Sequence, residues 1–129
     1  MQYKSKWGTV ENLELHISSY ADNKSLFMEL ISMDGEYPEP YGNITVNLGG
    51  DMPDYCAFVD RNNMPEMEQF IVENELGIFT GLERPSGFCT YPLYWFEPDK
   101  LQELCPDGLA AYEKARGIEP EREEWERSR

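Results

Sequence analysis

The sequence predicts a single α+β domain: an antiparallel sheet of about five to seven strands, one main helix packed on a face of it, and short helices at the C-terminal end. Three observations carry that expectation. Leu13, Leu15 and Ile17 alternate with Glu14, His16 and Ser18, the period of two expected of a strand with one buried face. Met67, Phe70, Ile71 and Asn74 recur at helical spacing. At 129 residues, 40% of them hydrophobic, the chain can bury a core without disulfides.

The strands follow in order. Gln2–Trp7 and Val10–Tyr20 read as extended, and Asp22-Asn23 supplies turn chemistry before a third strand, Ser25–Met33. In that strand Leu26, Met28 and Leu30 face one way and Phe27, Ile31 and Met33 the other, as expected of a central strand. The stretch 34–40, DGEYPEP, interrupts the ladder with glycine and two prolines. Alternation resumes over Tyr41–Leu48, with Ile44, Val46 and Leu48 on one face. Gly49-Gly50 then permits a reversal, so that Tyr55–Asp60 returns as the second arm of a hairpin.

A helix over Met64–Leu76 is expected next, capped by Asn62 or Asn63, with Pro65 in its first turn and Gly77 as its stop. Ile78–Leu82 and Phe88–Phe96, joined by the polar turn 83–87, predict a second hairpin. Its Pro92 belongs at an edge or a bulge, because proline has no N–H to donate. Pro98 opens a short helix ending at Leu104, and Asp107 is placed to cap another that Gly117 interrupts. The expected division is a domain over residues 1–106 and a helical, charged extension over 107–129. In that extension Arg122 to Glu126 and Glu123 to Arg127 are pairs at four-residue spacing, Trp125 is the sole apolar anchor, and the tail after about Ile118 is expected to be mobile or partner-dependent.

Net charge is the strongest compositional signal. The chain carries −14, and residues 11–99 alone hold 17 acidic against 3 basic side chains. Such a body repels phosphates and anionic membranes and attracts basic proteins, so direct nucleic-acid and membrane partners are not expected. The aromatic run Phe88–Phe96 has only Arg84 near it in sequence, unlike the basic grooves in which aromatic ladders stack bases. No apolar run approaches the ~20 residues of a membrane helix, and MQYKSKWGTV lacks the apolar segment of a secretory signal; a cytoplasmic location is expected.

Catalytic and cofactor signals are not found: the sequence has no phosphate-binding glycine loop, dinucleotide fingerprint, HExxH or GxSxG motif. Cys56, Cys89, Cys105 and His16 are scattered where a zinc site brings two ligands from one tight turn, so no metal is expected and the cysteines read as free thiols. His16 lies on the polar face of its strand with no nucleophile tied to it by spacing, and Asp51 with Asp54 reads as turn chemistry before catalysis.

AFVDRNNMPEMEQFIVENELGIFTG, followed by SGFCTYPLYWFEPDKLQEL, resembles a small bacterial family known as domain of unknown function 4313. The resemblance covers roughly Leu26–Leu104, and its most specific pieces are the F-V-D-x-N-N-x-P helix entry and the S-G-F-C-T-Y-P strand. It implies carriage on conjugative elements and phages. It implies no activity and assigns no catalytic residue.

The function expected is therefore a non-enzymatic acidic binding protein. In its sharpest form it is a mobile-element inhibitor of a host nucleic-acid-directed defence, of the restriction or CRISPR type, whose carboxylates mimic nucleic acid in a basic channel. The candidate partner-binding residues are Asp51, Asp54, Asp60, Glu66, Glu68, Glu73 and Glu75. Two alternatives stand beside it. One is a regulatory or structural interaction module that binds through an apolar patch, and the other is a small enzyme of unknown class built on His16, Asp60 or tyrosines.

Overall fold

In a computed structural model describing residues 1–4, 8 and 10–119, the alternating segments pair as antiparallel strands. β1 (Gln2–Lys4), β2 (Val10–Ser19), β3 (Leu26–Ser32) and β4 (Glu39–Asn43) form one sheet in that order. β5 (Thr45–Val46), β6 (Cys56–Val59), β7 (Gly77–Ser86) and β8 (Cys89–Phe96) form a second, in the order β5-β6-β8-β7. The helices are α1 (Met67–Glu73), α2 (Pro98–Leu104) and α3 (Pro106–Arg116). The α+β class is as expected. The single sheet with one main helix is not: the described residues form two four-stranded sheets and three helices.

The difference originates at Ile44. Tyr41–Leu48 does not run as one strand, because the chain leaves β3 and joins β6 across this residue. The Ile44 N–H donates to the Met28 carbonyl at 2.9 Å, while its own carbonyl accepts the Asp60 N–H at 3.0 Å. Only Thr45 and Val46 form the expected hairpin, opposite Val59 and Phe58. The change of sheet also splits the expected apolar face. Ile44 enters the main core, whereas Val46 and Leu48 pack on a smaller cluster of Cys56, Phe58 and Leu93. Phe58 belongs to that cluster, and Ala57 and Val59 take the inward places on β6. Gly49 and Gly50 do adopt positive φ, 84° and 82°, in the loop that follows.

The main core is built from alternate positions of both sheets and one side of each helix. Leu13, Leu15 and Ile17 of β2 and Leu26, Met28 and Leu30 of β3 meet Tyr94 and Phe96 of β8. Phe70 and Ile71 of α1, Leu101 of α2, and Leu109 and Tyr112 of α3 complete it. α3 therefore contributes Leu109 and Tyr112 to the core of the sheets. The expected pairs in 122–127, Trp125 and strand residues 5–7 lie outside the described residues.

Local corrections have local causes. α1 spans Met67–Glu73, shorter than Met64–Leu76, because the Asp60 carboxylate accepts the N–H groups of Asn62 and Asn63 and folds those residues into a turn before the helix. Gly77 does not end the helix. It opens β7 against β8, where a Cβ would lie 2.4 Å from the Trp95 carbonyl oxygen. β7 continues through the expected polar turn to Ser86, with a bulge between Phe79 and Glu83, and only Gly87 and Phe88 reverse the chain. Pro92 sits opposite that bulge on β8, an inner strand and not an edge. Asp107, expected to cap the last helix, lies inside it, because Pro106 is the first residue of α3.

Candidate functional site

α1 is seated across the two sheets by its acidic residues. Glu66 accepts a hydrogen bond from the Tyr3 hydroxyl of β1 at 3.1 Å, and Glu68 accepts one from the Tyr94 hydroxyl of β8 at 2.6 Å. Burial, reinforced by the neighbouring carboxylate, pushes both tyrosines well above the ordinary value of 10.0, so both remain protonated donors. Arg61 extends the contact, reaching Glu68 at 3.5 Å and Glu83 at 3.0 Å. Tyr94 and Arg61 thus hold one carboxylate between α1 and the bulged part of β7.

The other candidate acids are distributed along the same half of the molecule. Asp60 closes the turn before α1, and its carboxylate accepts three N–H groups from Asn62 and Asn63. Asp54 pairs with Arg116 of α3 at 3.0 Å. Glu73 accepts from Gln69 one turn earlier at 2.8 Å. Asp51 and Glu75 are exposed, Asp51 in the loop after Gly50 and Glu75 in the turn after α1 at a φ of 58°. The seven share no single cluster of contacts: Glu66, Glu68 and Asp60 serve the seating of α1, and Asp54 serves the docking of α3.

The arginines are turned onto this chain. Arg84 donates to the carbonyls of Leu48 and Gly49 and lies over the Phe58 ring, 5.0 Å from its centroid. Arg116 bonds Asp54 and donates to the carbonyls of Lys24 and Met52 at 3.1 and 2.7 Å. With Arg61 committed to Glu68 and Glu83, each described arginine has internal partners.

A feature not foreseen from the sequence lies beyond the end of α1. An open groove of about 540 Å³ runs between α1, the start of β7, β8 and α2. Its apolar lining is Val72, Ile78 and Trp95, and its charged lining is Glu75, Glu97, Asp99 and Glu103 with Lys100. Lys100 is paired with Glu103 at 3.6 Å. Val72 is 59% and Ile78 62% exposed, large apolar side chains left in water on adjoining elements. One signal was available: Val72 follows Glu68 and Gln69 on the solvent side of a helix whose other outward residues are polar.

The residues of the enzymatic and zinc alternatives are dispersed over the fold. His16 is exposed on β2 opposite Glu29, while Asp60 ends a strand of the other sheet. Cys56 lies in β6, Cys89 begins β8 and Cys105 joins α2 to α3. Among the described residues no group of three or more histidine, cysteine or carboxylate side chains is placed to hold a metal ion. No helix among them is long and apolar enough to cross a membrane.

The family model described as Domain of unknown function (DUF4313) matches residues 14–116. The chain belongs to that family. The match extends past Leu26–Leu104 in both directions, so the DUF4313 unit takes in most of β2 and all of α3. It contains both sheets except β1 and the first residues of β2, the groove, and every candidate acidic residue. Neither the curated proteins nor the solved structures contain a match to this DUF4313 chain.

Proposed function

We propose that this DUF4313 protein is a non-enzymatic binding protein whose acidic surface engages a basic protein. The supporting observation is the fate of its described arginines. Arg61, Arg84 and Arg116 are spent on internal carboxylates, carbonyls and a ring, and a chain of net charge −14 is left with an outward field that is negative. The partner class that best answers this field is a nucleic-acid-binding effector of a host defence system, of the restriction or CRISPR type. Its basic channel would receive carboxylates in place of phosphates, with Asp51, Glu73 and Glu75 reaching outward and Glu66 and Glu68 held in place by tyrosines. Pull-down and titration against purified effectors should give binding that weakens steeply with salt and competes with nucleic acid. Binding to no such effector at low ionic strength would refute the partner class.

A second reading, an interaction module that docks through apolar contact, is favoured by the exposed Val72 and Ile78 beside Trp95. It predicts binding that survives salt and fails when Ile78 becomes polar.

A further inference from the structure

We propose that the groove between α1, the start of β7 and α2 receives an extended segment of the basic partner. An apolar side chain would rest on Val72, Ile78 and Trp95, and flanking lysine or arginine side chains would face Glu75, Glu97, Asp99 and Glu103. The inference rests on the acidic-binder reading and adds where the partner sits and in what conformation.

Three features select this occupant. The groove, at about 540 Å³, is of a size that encloses a few side chains and no folded element. Its rim carries four carboxylates against one lysine, which is itself bonded to Glu103, so a segment bearing cations is attracted and an acidic one repelled. A second copy of this chain would bring the same carboxylates and the same net charge of −14, which disfavours self-association through this face.

The strand edge supplies the conformation. β7 is the last strand of its sheet, paired only with β8. The Glu97 N–H donates to the Leu76 carbonyl at 2.8 Å, which makes Leu76 and Glu97 a hydrogen-bonded pair, and alternation along the ladder then turns the backbone groups of Gly77 and Phe79 away from β8. Ile78, between them, presents its side chain to the groove. Gly77 is buried, so a segment lying along this edge can pair with Phe79 while setting alternate side chains beside Ile78, the arrangement of strand addition. The bulge after Phe79 limits the usable edge to its first residues, so a short segment is expected.

The test uses the full chain and an amidated synthetic peptide alternating leucine and lysine, titrated by calorimetry at low and moderate salt. Ile78→Ser should weaken binding about tenfold, the loss expected on removing one well-packed apolar anchor. Glu75→Gln with Glu103→Gln should weaken binding and flatten its salt dependence, whereas Glu36→Gln with Glu39→Gln, just before and at the start of β4 in the other sheet, should leave it unchanged. A peptide N-methylated at alternate residues should bind as poorly as Ile78→Ser does. Circular dichroism verifies that each variant is folded. Binding that falls with salt but ignores both Ile78→Ser and the Glu75/Glu103 change would overturn the groove and leave the acidic-surface reading standing. Absence of binding to the unmodified peptide at low salt would overturn both.

Discussion

Gly108→Ala should destabilise the protein, although helix propensity taken alone predicts the reverse. Gly108 is the third residue of α3, and alanine is favoured over glycine inside a helix by up to ~1 kcal/mol. Against that, an added Cβ would stand 2.4 Å from the Ile17 carbonyl oxygen and 2.9 Å from Cys105 Sγ. The first distance is about 1 Å inside the optimum for a carbon contact. The oxygen cannot easily yield, because Ile17 lies in β2 opposite Met28 and its side chain is in the core. α3 must shift instead, loosening the contacts of Leu109 and Tyr112, both fully buried. Overpacking of this kind costs ~1–3 kcal/mol, and a clash with backbone belongs in the upper part of that range, so after the propensity gain of up to ~1 kcal/mol a net loss of up to about 2 kcal/mol is expected. In urea denaturation followed by circular dichroism the midpoint should fall by roughly 0.5–1 M with an unchanged slope. A midpoint equal to or above that of the parent would refute the close packing of α3 on β2.

Three further outcomes follow from hydrogen bonds within the fold. Tyr112→Phe removes the hydroxyl that accepts the Tyr55 N–H at 2.9 Å, at a residue held at a φ of 65°; loss of that hydrogen bond should cost about 0.5–1.5 kcal/mol, read as a lowered Tm by calorimetry. Alkaline pH should weaken the fold through Tyr3 and Tyr94, whose hydroxyls are raised in the folded state above 10.0. The unfolded chain loses these protons first, so their contribution is complete below about pH 10 and declines as pH rises beyond it. Urea midpoints measured from about pH 8 to about pH 11 should therefore fall, and Tyr94→Phe should make the fall shallower. Arg116→Gln frees the loop that Arg116 holds through Asp54 and the Met52 carbonyl, and limited proteolysis should cut faster within residues 49–54 than in the parent.

The fold was legible where one periodicity ran undisturbed. β2 and β3 were recoverable because their inward side chains alternate without exception from Leu13 to Ile17 and from Leu26 to Leu30. Ile44 defeated the same reasoning: a strand that changes sheets keeps its alternation while its inward residues enter different cores, and no residue type marks the crossing. α1 was placed correctly but drawn too long, because Asn62 and Asn63 satisfy a capping pattern while their backbones are held by Asp60. The acidic character of the surface was visible in composition. Which carboxylates have internal partners was not, since Tyr3 meets Glu66 across more than sixty residues of sequence. The groove was hidden for a similar reason: Val72, Ile78, Trp95 and Glu103 become neighbours only when β7 pairs with β8 and α2 folds beside them.

The passage from one sheet to the other through a single residue has a consequence for how relatives of this protein can vary. Ile44 offers its N–H to β3 and its carbonyl to the amide that follows β6, so adding even one residue there would break the bond on one side or turn a fully buried side chain out of the core. Length variation should collect instead in the exposed stretch 33–38, between β3 and β4, where the chain is free of that double constraint. The same asymmetry guides engineering: a reporter or affinity tag inserted at Gly35 should be carried without loss of the fold, and one inserted beside Ile44 should separate the two sheets.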